Sequence, residues 1–292
     1  MGHTRTEGHC MHPVLFVIPL PFTETKILIY SVFFLITCAL VLGIYLGTRA
    51  AQNEGLPVET ALNMTFFGLI GVILGARLYA FCENPSFYFN HPLRLIKLWE
   101  GSLGTYGGAI GGVFGSLGYL VLRRQPLSTY FDVYAPYAFL GIGIIRIGDL
   151  LNGTAFGKTT GLPWGVSFPK GSFAYNRHLS HGWIGPDAAS SMPAHPTQLY
   201  SAISCFLIFF LLLALASRLK KSPGSRFLLG AGLYAGSRFF IDFLRDDLRR
   251  HPPWNLSSTQ WVGIAVLCSL FVAWYCLKLA RKRGTPLNEA KF

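Results

Sequence analysis

The sequence predicts an all-α polytopic membrane protein, with seven transmembrane helices and a small extracytoplasmic head formed by the 152–196 loop. Three observations carry that expectation. Of the 292 residues 51% are hydrophobic and only 13% are charged, against about 25% charged in an ordinary soluble domain. Apolar runs of about 20 residues recur along the chain, the length that crosses a hydrocarbon core of about 30 Å. Most of these runs also lack the polar face that a helix of a soluble bundle needs.

Taken in order, residues 1–26 form an N-terminal extension and an interfacial segment. Within it "HPVLFVIPLPF" (12–22) is too short and too interrupted by proline to span. No Lys/Arg-rich start precedes a cleavable apolar region, so no removable signal peptide is expected. The spans are expected at 27–46, 61–82, 102–122, 131–151, 197–217, 226–244 and 259–279, followed by a cytoplasmic tail at 280–292. No shift in composition marks a second domain, so residues 1–292 read as one membrane domain with its core at 27–279. Nor does a repeat of 20 to 50 residues emerge.

In the third run Gly107, Gly111 and Gly115 lie four apart, a small-residue stripe that lets helix backbones approach closely. Packing is the first reading of that stripe, and a backbone laid against a lipid headgroup is the second. The connection from Asn152 to Pro196 is 45 residues long and carries Trp164, Phe168, Phe173, Tyr175 and Trp183. A loop of that length is usually functional or disordered, and this one, with its aromatic residues, is expected to fold against the outer membrane surface as a head.

The net charge of +12 lies largely in short connections, so it points to an anionic membrane face and not to nucleic acid. With the N-terminus outside, the inward connections and tail hold twelve Lys and Arg, from Arg49, Arg123 and Arg124 to Lys221 and Lys291. The longer outward segments hold ten. That density favours an outside N-terminus and a cytoplasmic C-terminus. The six cysteines form no CxxC pair, so neither a disulfide framework nor a zinc site is expected. His178 and His181 have helical spacing, but only Asp187 and His195 lie near as further donors, and no metal or other cofactor is expected.

Three arginines fall within or at the ends of spans: Arg77, Arg146 and Arg238. Each costs about 2.5 to 3.5 kcal/mol at a span centre unless it has a partner or a purpose. Asp149 follows Arg146 by three residues and Asp242 follows Arg238 by four, so each pair shares a helix face. Either pair alone could be a helix-orienting salt bridge. Three arginines with two acids leave surplus positive charge in an apolar interior, which suits an anionic ligand, phosphate above all. Tyr30, Tyr106, Asn152 and "AHPTQLYS" (194–201) gather at the outward ends of the same spans.

Together these segments resemble the bacterial phosphatidylglycerol-prolipoprotein diacylglyceryl transferases. The resemblance is carried by "MHPVLF" (11–16), Tyr30, "GARL" (75–78), "WEGSLGTYGGAIGG" (99–112), "RIGDLLNG" (146–153), "HPTQLY" (195–200), "RFFIDFLR" (238–245) and "LSSTQ" (256–260), in family order. It implies a multi-pass monomer of the bacterial inner membrane whose partners are phosphatidylglycerol, other membrane lipids and lipobox-containing preprolipoproteins. Such an enzyme moves the diacylglyceryl group of phosphatidylglycerol to the lipobox cysteine, making a thioether and releasing glycerol phosphate. Carried over, Tyr30, Arg77, Arg146, Asn152, Gly153 and Arg238 match functional positions and Asp242 matches with a shorter acid; these, except Asp242, together with Gly107 and Gly108, are expected to bind the lipid. Arg146, Arg238, Asp242, Tyr106, Asp149 and His195 would serve catalysis.

The chain also departs from the family pattern. Tyr106 stands where a histidine is frequent, Asp149 where asparagine is, Thr154 where a glutamate follows the Asn-Gly, Ser201 where an acid follows the HPTQLY motif, and Ser31 where a glycine follows the tyrosine. A histidine base in the third span is therefore unavailable. Tyr106 is expected to donate a hydrogen bond to a phosphate oxygen, leaving Asp149, Asp242 or His195 as base. The rival readings are a non-catalytic lipid-binding relative and a transporter of an anionic amphiphile; the latter predicts inverted repeats.

Overall fold

The computed structural model describes residues 14–19, 26–95, 105–246, 250–251 and 254–282. Helix dominates. In chain order the elements are β1 (Val14–Pro19), β2 (Lys26–Tyr30), α1 (Ser31–Asn53), α2 (Val58–Glu83), α3 (Pro85–Asn90), a short 3-10 turn (Pro92–Leu95), α4 (Thr105–Leu122) and α5 (Leu127–Asn152). They continue as α6 (Phe173–Ser180), α7 (Thr197–Ala214), α8 (Ala216–Leu219), α9 (Ser225–Leu244), β3 (Arg250–His251), β4 (Leu256–Ser257) and α10 (Ser258–Lys282).

Each expected span overlaps a described helix. Five helices, α1, α2, α5, α7 and α9, are long and apolar enough to cross a membrane. The remaining two expected spans fall on α4 and α10, whose described apolar stretches are Gly107–Leu122 and Ser258–Val272. Their outer faces carry large bare side chains, among them Leu122 at 84% and Phe114 at 66% exposure. Apolar surface on that scale needs lipid against it, and the chain is an integral membrane protein.

The first element corrects the sequence reading. Val14–Pro19 pairs antiparallel with Lys26–Tyr30, and the helix starts only at Ser31, where the first span was expected to open at residue 27. Ile27 and Ile29 alternate with Leu28 in an extended register, and β-branched residues favour that state.

The described residues divide into two compact units. One holds Ile44–Tyr134, with α2 and α4 at its centre. Their backbones meet along glycines: a Cβ placed on Gly111 would collide with the Gly71 carbonyl, and one on Gly107 with the Gly75 carbonyl. The packing reading of the stripe is the one realised. Ala51, Ala61, Met64, Leu120, Tyr130 and Val133 fill the core of this unit, and the Tyr134 hydroxyl lies 3.1 Å from Thr48 Oγ1.

The other unit comprises the described residues up to Gly43 and those from Ala135 to Lys282. Ala135, Phe139, Ile208, Phe209 and Leu212 pack α5 against α7, and Phe139 with Leu212 also reaches Gly230 of α9. Between α5 and α7, residues 153–196 build a small head around Phe156, Phe168, Ala174 and Ala194. Bridges join Thr159 and Val166 to Ala194, Pro169 to Ser190, and Gly157 to Arg245. Of the aromatic residues expected at a membrane surface, Phe168 and Tyr175 are buried in the head itself. Trp164, Phe173 and Trp183 remain exposed.

Candidate active site

The ends of α5 and α9 gather the charges. Arg146 Nη1 donates to Asp149 Oδ2 at 2.7 Å, one turn along α5, and both side chains stay about one-fifth exposed at 21% and 18%. Arg238 Nη2 lies 3.0 Å from Asp242 Oδ1 on α9, where the carboxylate is 1% exposed. Arg245 Nη1 approaches the same oxygen at 3.7 Å. The other oxygen of Asp242 accepts from Thr259 Oγ1 of α10 at 2.6 Å. Asp242 thus faces two guanidinium groups with one oxygen, from α9 and from the residue that follows it, and a hydroxyl of α10 with the other.

The two arginines belong to one electrostatic neighbourhood, since Arg146 and Arg238 act on each other and both act on Tyr234. Like charges are costly in such surroundings unless an anion joins them. Three guanidinium groups face two carboxylates here. Arg146 Nε is buried with no hydrogen-bond partner among the described residues. An unmet buried donor on a cation is a place for an acceptor oxygen.

The α5 terminus is shaped for its turn. Gly153 has φ +70°, and a Cβ there would press to 3.2 Å against both the Phe168 ring and the Ser172 Cβ, so the Asn152-Gly153 pair admits no larger second residue. Thr154 N–H returns to the Asp149 carbonyl at 3.0 Å, and its Oγ1 donates to Asp149 Oδ1 at 3.3 Å. Gln198 Nε2 donates to the Thr154 carbonyl at 2.6 Å and Thr197 Oγ1 to the Ala155 carbonyl at 2.7 Å. The "HPTQLY" motif therefore splints the segment that leaves the arginine helix.

His195 is bound into the head by its backbone, through Gly157 and Lys158. Its Nδ1 lies 3.4 Å from the Tyr200 hydroxyl, which also accepts from Trp164 Nε1 at 2.9 Å. His178 and His181 have separate local duties: His178 Nδ1 accepts from Met192 N–H, and His181 Nδ1 lies 2.8 Å from the Arg177 carbonyl. Among the described residues no three His, Cys, Asp or Glu side chains could hold a metal.

Tyr30 ends β2, 40% exposed, with its ring edge-on to Phe33. Arg77, Gly107 and Gly108 belong to the other unit. There Arg77 is buried at 6% exposure, and Gly108 sits beside Val72 and Ala76. Tyr106 lies in the first turn of α4, and its side chain is outside the described residues.

A family model described as prolipoprotein diacylglyceryl transferase matches residues 13–276. The chain belongs to that family. The phosphatidylglycerol–prolipoprotein diacylglyceryl transferase of Cupriavidus metallidurans is 32% identical over 236 residues, 78% of each chain. That of Trichormus variabilis is 30% identical over 257 residues, 86% of each, and that of Cupriavidus necator 34% identical over 211, 70% of each. The arginine helices and the Asn-Gly turn lie inside the matched region.

For this member of the diacylglyceryl transferase family, sequence reasoning singled out the arginines and acids but passed over Tyr234, Thr259 and Arg245 as partners. Tyr234 was detectable as the residue four before Arg238, on the same helix face. Thr259 reaches Asp242 only because α10 packs on α9, which no local spacing reveals.

Proposed function

We propose that the protein transfers the diacylglyceryl group of phosphatidylglycerol to the cysteine thiol of a lipobox-bearing preprolipoprotein, at the outer face of the bacterial inner membrane. The observation that carries this reading is that two cations, Arg146 and Arg238, share one neighbourhood, with the buried Arg146 Nε unmet among the described residues. The phosphodiester enters between the two guanidinium groups, which take its oxygens and spread the charge that grows on the departing phosphate. The thiolate sulfur attacks the terminal glyceryl carbon, the carbon–oxygen bond breaks, and glycerol phosphate leaves with the bond's electron pair. A thioether remains.

The acceptor thiol must lose a proton, because a cysteine of pKa about 8.5 is only a few per cent thiolate at neutral pH. Asp242 has both oxygens engaged and no exposed surface to spare. Asp149 is the more open carboxylate, at 18% exposure, and we assign it the proton. Tyr30, Asn152 and Gly153 shape the lipid site. The bilayer surrounds a single membrane domain of seven spans, with the N-terminus and the 153–196 head outside, and the enzyme acts as a monomer.

The test incubates the purified protein with phosphatidylglycerol and a lipobox peptide. The expected product is a peptide whose mass has risen by one thiol-linked diacylglyceryl group. Lipid binding without that product assigns the protein to the non-catalytic reading.

A further inference from the structure

Beside the charged site the head carries an open cleft of about 430 Å³, lined by Thr154, Phe156, Phe173, Asn176, Arg177 and Ser180, together with Ala155. Its two walls differ in origin. One is the irregular segment leaving the Asn-Gly turn. The other is the outer face of α6, where Phe173, Asn176, Arg177 and Ser180 recur at helical spacing. The opposite face of α6 buries Ala174, Tyr175 and His178 in the head. Ser172 Oγ caps the helix at Tyr175 N–H, and the Tyr175 hydroxyl donates to the Pro186 carbonyl at 3.2 Å. The cleft wall is therefore fixed from behind.

We infer that this cleft holds the acceptor polypeptide, taking the residues that follow its cysteine; the inference rests on the transfer reaction proposed above. Three observations select that occupant. The first is continuity, for Thr154 lines the cleft and at the same time donates to Asp149, which holds Arg146. A cysteine presented to the arginines has its next residues at the cleft mouth, since an extended chain advances about 3.3 Å per residue.

The second is the lining. Phe173, 63% exposed, offers apolar contact, while Asn176, Arg177 and Ser180 offer polar groups. A peptide has both kinds of surface, and an acyl chain has only one. The third is charge. Arg177 is held by Asp246 through Nε at 2.8 Å and by the Asp246 carbonyl through Nη2 at 2.9 Å. Its cation is already paired, so the cleft lacks the surplus charge that a phosphate headgroup seeks.

The decisive experiment uses the full-length protein and a synthetic acceptor peptide, with an apolar segment, the cysteine and several polar residues after it, one of them a benzophenone amino acid. Irradiation should label residues 154–156 or 173–180. In steady-state transfer, Phe173→Ala and the cleft-filling Ser180→Trp should each raise the peptide KM roughly tenfold and leave the phosphatidylglycerol KM within about twofold. A peptide ending at the cysteine should not distinguish these variants from the parent. Labelling elsewhere, or a raised phosphatidylglycerol KM with an unchanged peptide KM, overturns the assignment. Photoactivatable phosphatidylglycerol labelling the same segment gives the cleft to the donor lipid and overturns it too. If the parent protein makes no thioether product at all, the transfer reading fails; if product forms but the label lies elsewhere, only the cleft fails.

Discussion

Arg146 and Arg238 repel one another, yet each is anchored to a carboxylate on its own helix, which keeps two cations available in one apolar neighbourhood. Removing either should leave the helices in place and take away a charge-assisted phosphate contact, about 1.5 to 3 kcal/mol or more in a poorly solvated site. Arg146→Ala and Arg238→Ala are therefore expected to insert normally and lose at least tenfold in turnover, with Lys only partly restoring it. Full turnover in both variants would show that the arginines only orient helices. The acid beside Arg146 yields a second expectation. The two departures from the family pattern, Asp149 and Thr154, meet in a single hydrogen bond, so one carboxylate is retained there on the opposite partner. Asp149→Asn should abolish transfer, and adding Thr154→Glu should restore part of it; an active Asp149→Asn single variant rules Asp149 out as base. The charged residues were legible in the sequence because ionisable groups stand out in apolar runs. Their hydrogen-bonded neighbours were not, because Thr259 and Gln198 reach the site from other helices.

Among the elements, the apolar helices other than α1 lie within a few residues of their expected boundaries, since length and hydropathy dictate a lipid-facing helix almost without reference to its neighbours. The hairpin β1–β2 escaped because its strands are as apolar as a span and are told apart only by pairing. The small-residue stripe turned out to be a contact between backbones, where even one methyl group has nowhere to go. Gly111→Val should force α2 and α4 apart and lower the melting temperature in detergent by several degrees, whereas Gly118→Val, facing open space, should not. Within the head, His178 is fully buried beside Phe156 and Trp183. Burial pushes its pKa below the ordinary 6.5, Asp246 opposes that shift, and His181 and Arg177 add to it. The folded head thus holds His178 neutral, while the unfolded chain takes up a proton first as pH falls. Stability should be complete above about pH 6.5 and decline below it, towards the lower folded pKa. Limited proteolysis of the head should accelerate between about pH 7 and 5, and His178→Gln should remove that slope.

At the scale of the molecule, the distribution of basic residues and the position of the head make one joint demand. The short connections between expected spans carry Arg123 and Arg124, then Arg218, Lys220 and Lys221, and such loops stay on the cytoplasmic side. The 153–196 head has its own packed core and polar bridges, so it folds in water on whichever side it emerges. An even number of crossings lies between two segments on the same side, and an odd number between segments on opposite sides. Only α7 of the expected spans separates the head from Lys221, so a spanning α7 is expected to put the two on opposite sides whatever the status of α4 and α10. Counting on to the C-terminus does depend on α10, because α9 and α10 together return the chain to the side of Lys221. Reporter fusions placed inside the head, after Lys221 and at the C-terminus should therefore read outside, inside and inside. A head and a Lys221 fusion on the same side would remove α7 as a span. A C-terminal reporter outside would leave those two positions intact and delete α10 from the count, turning the seven expected spans into six.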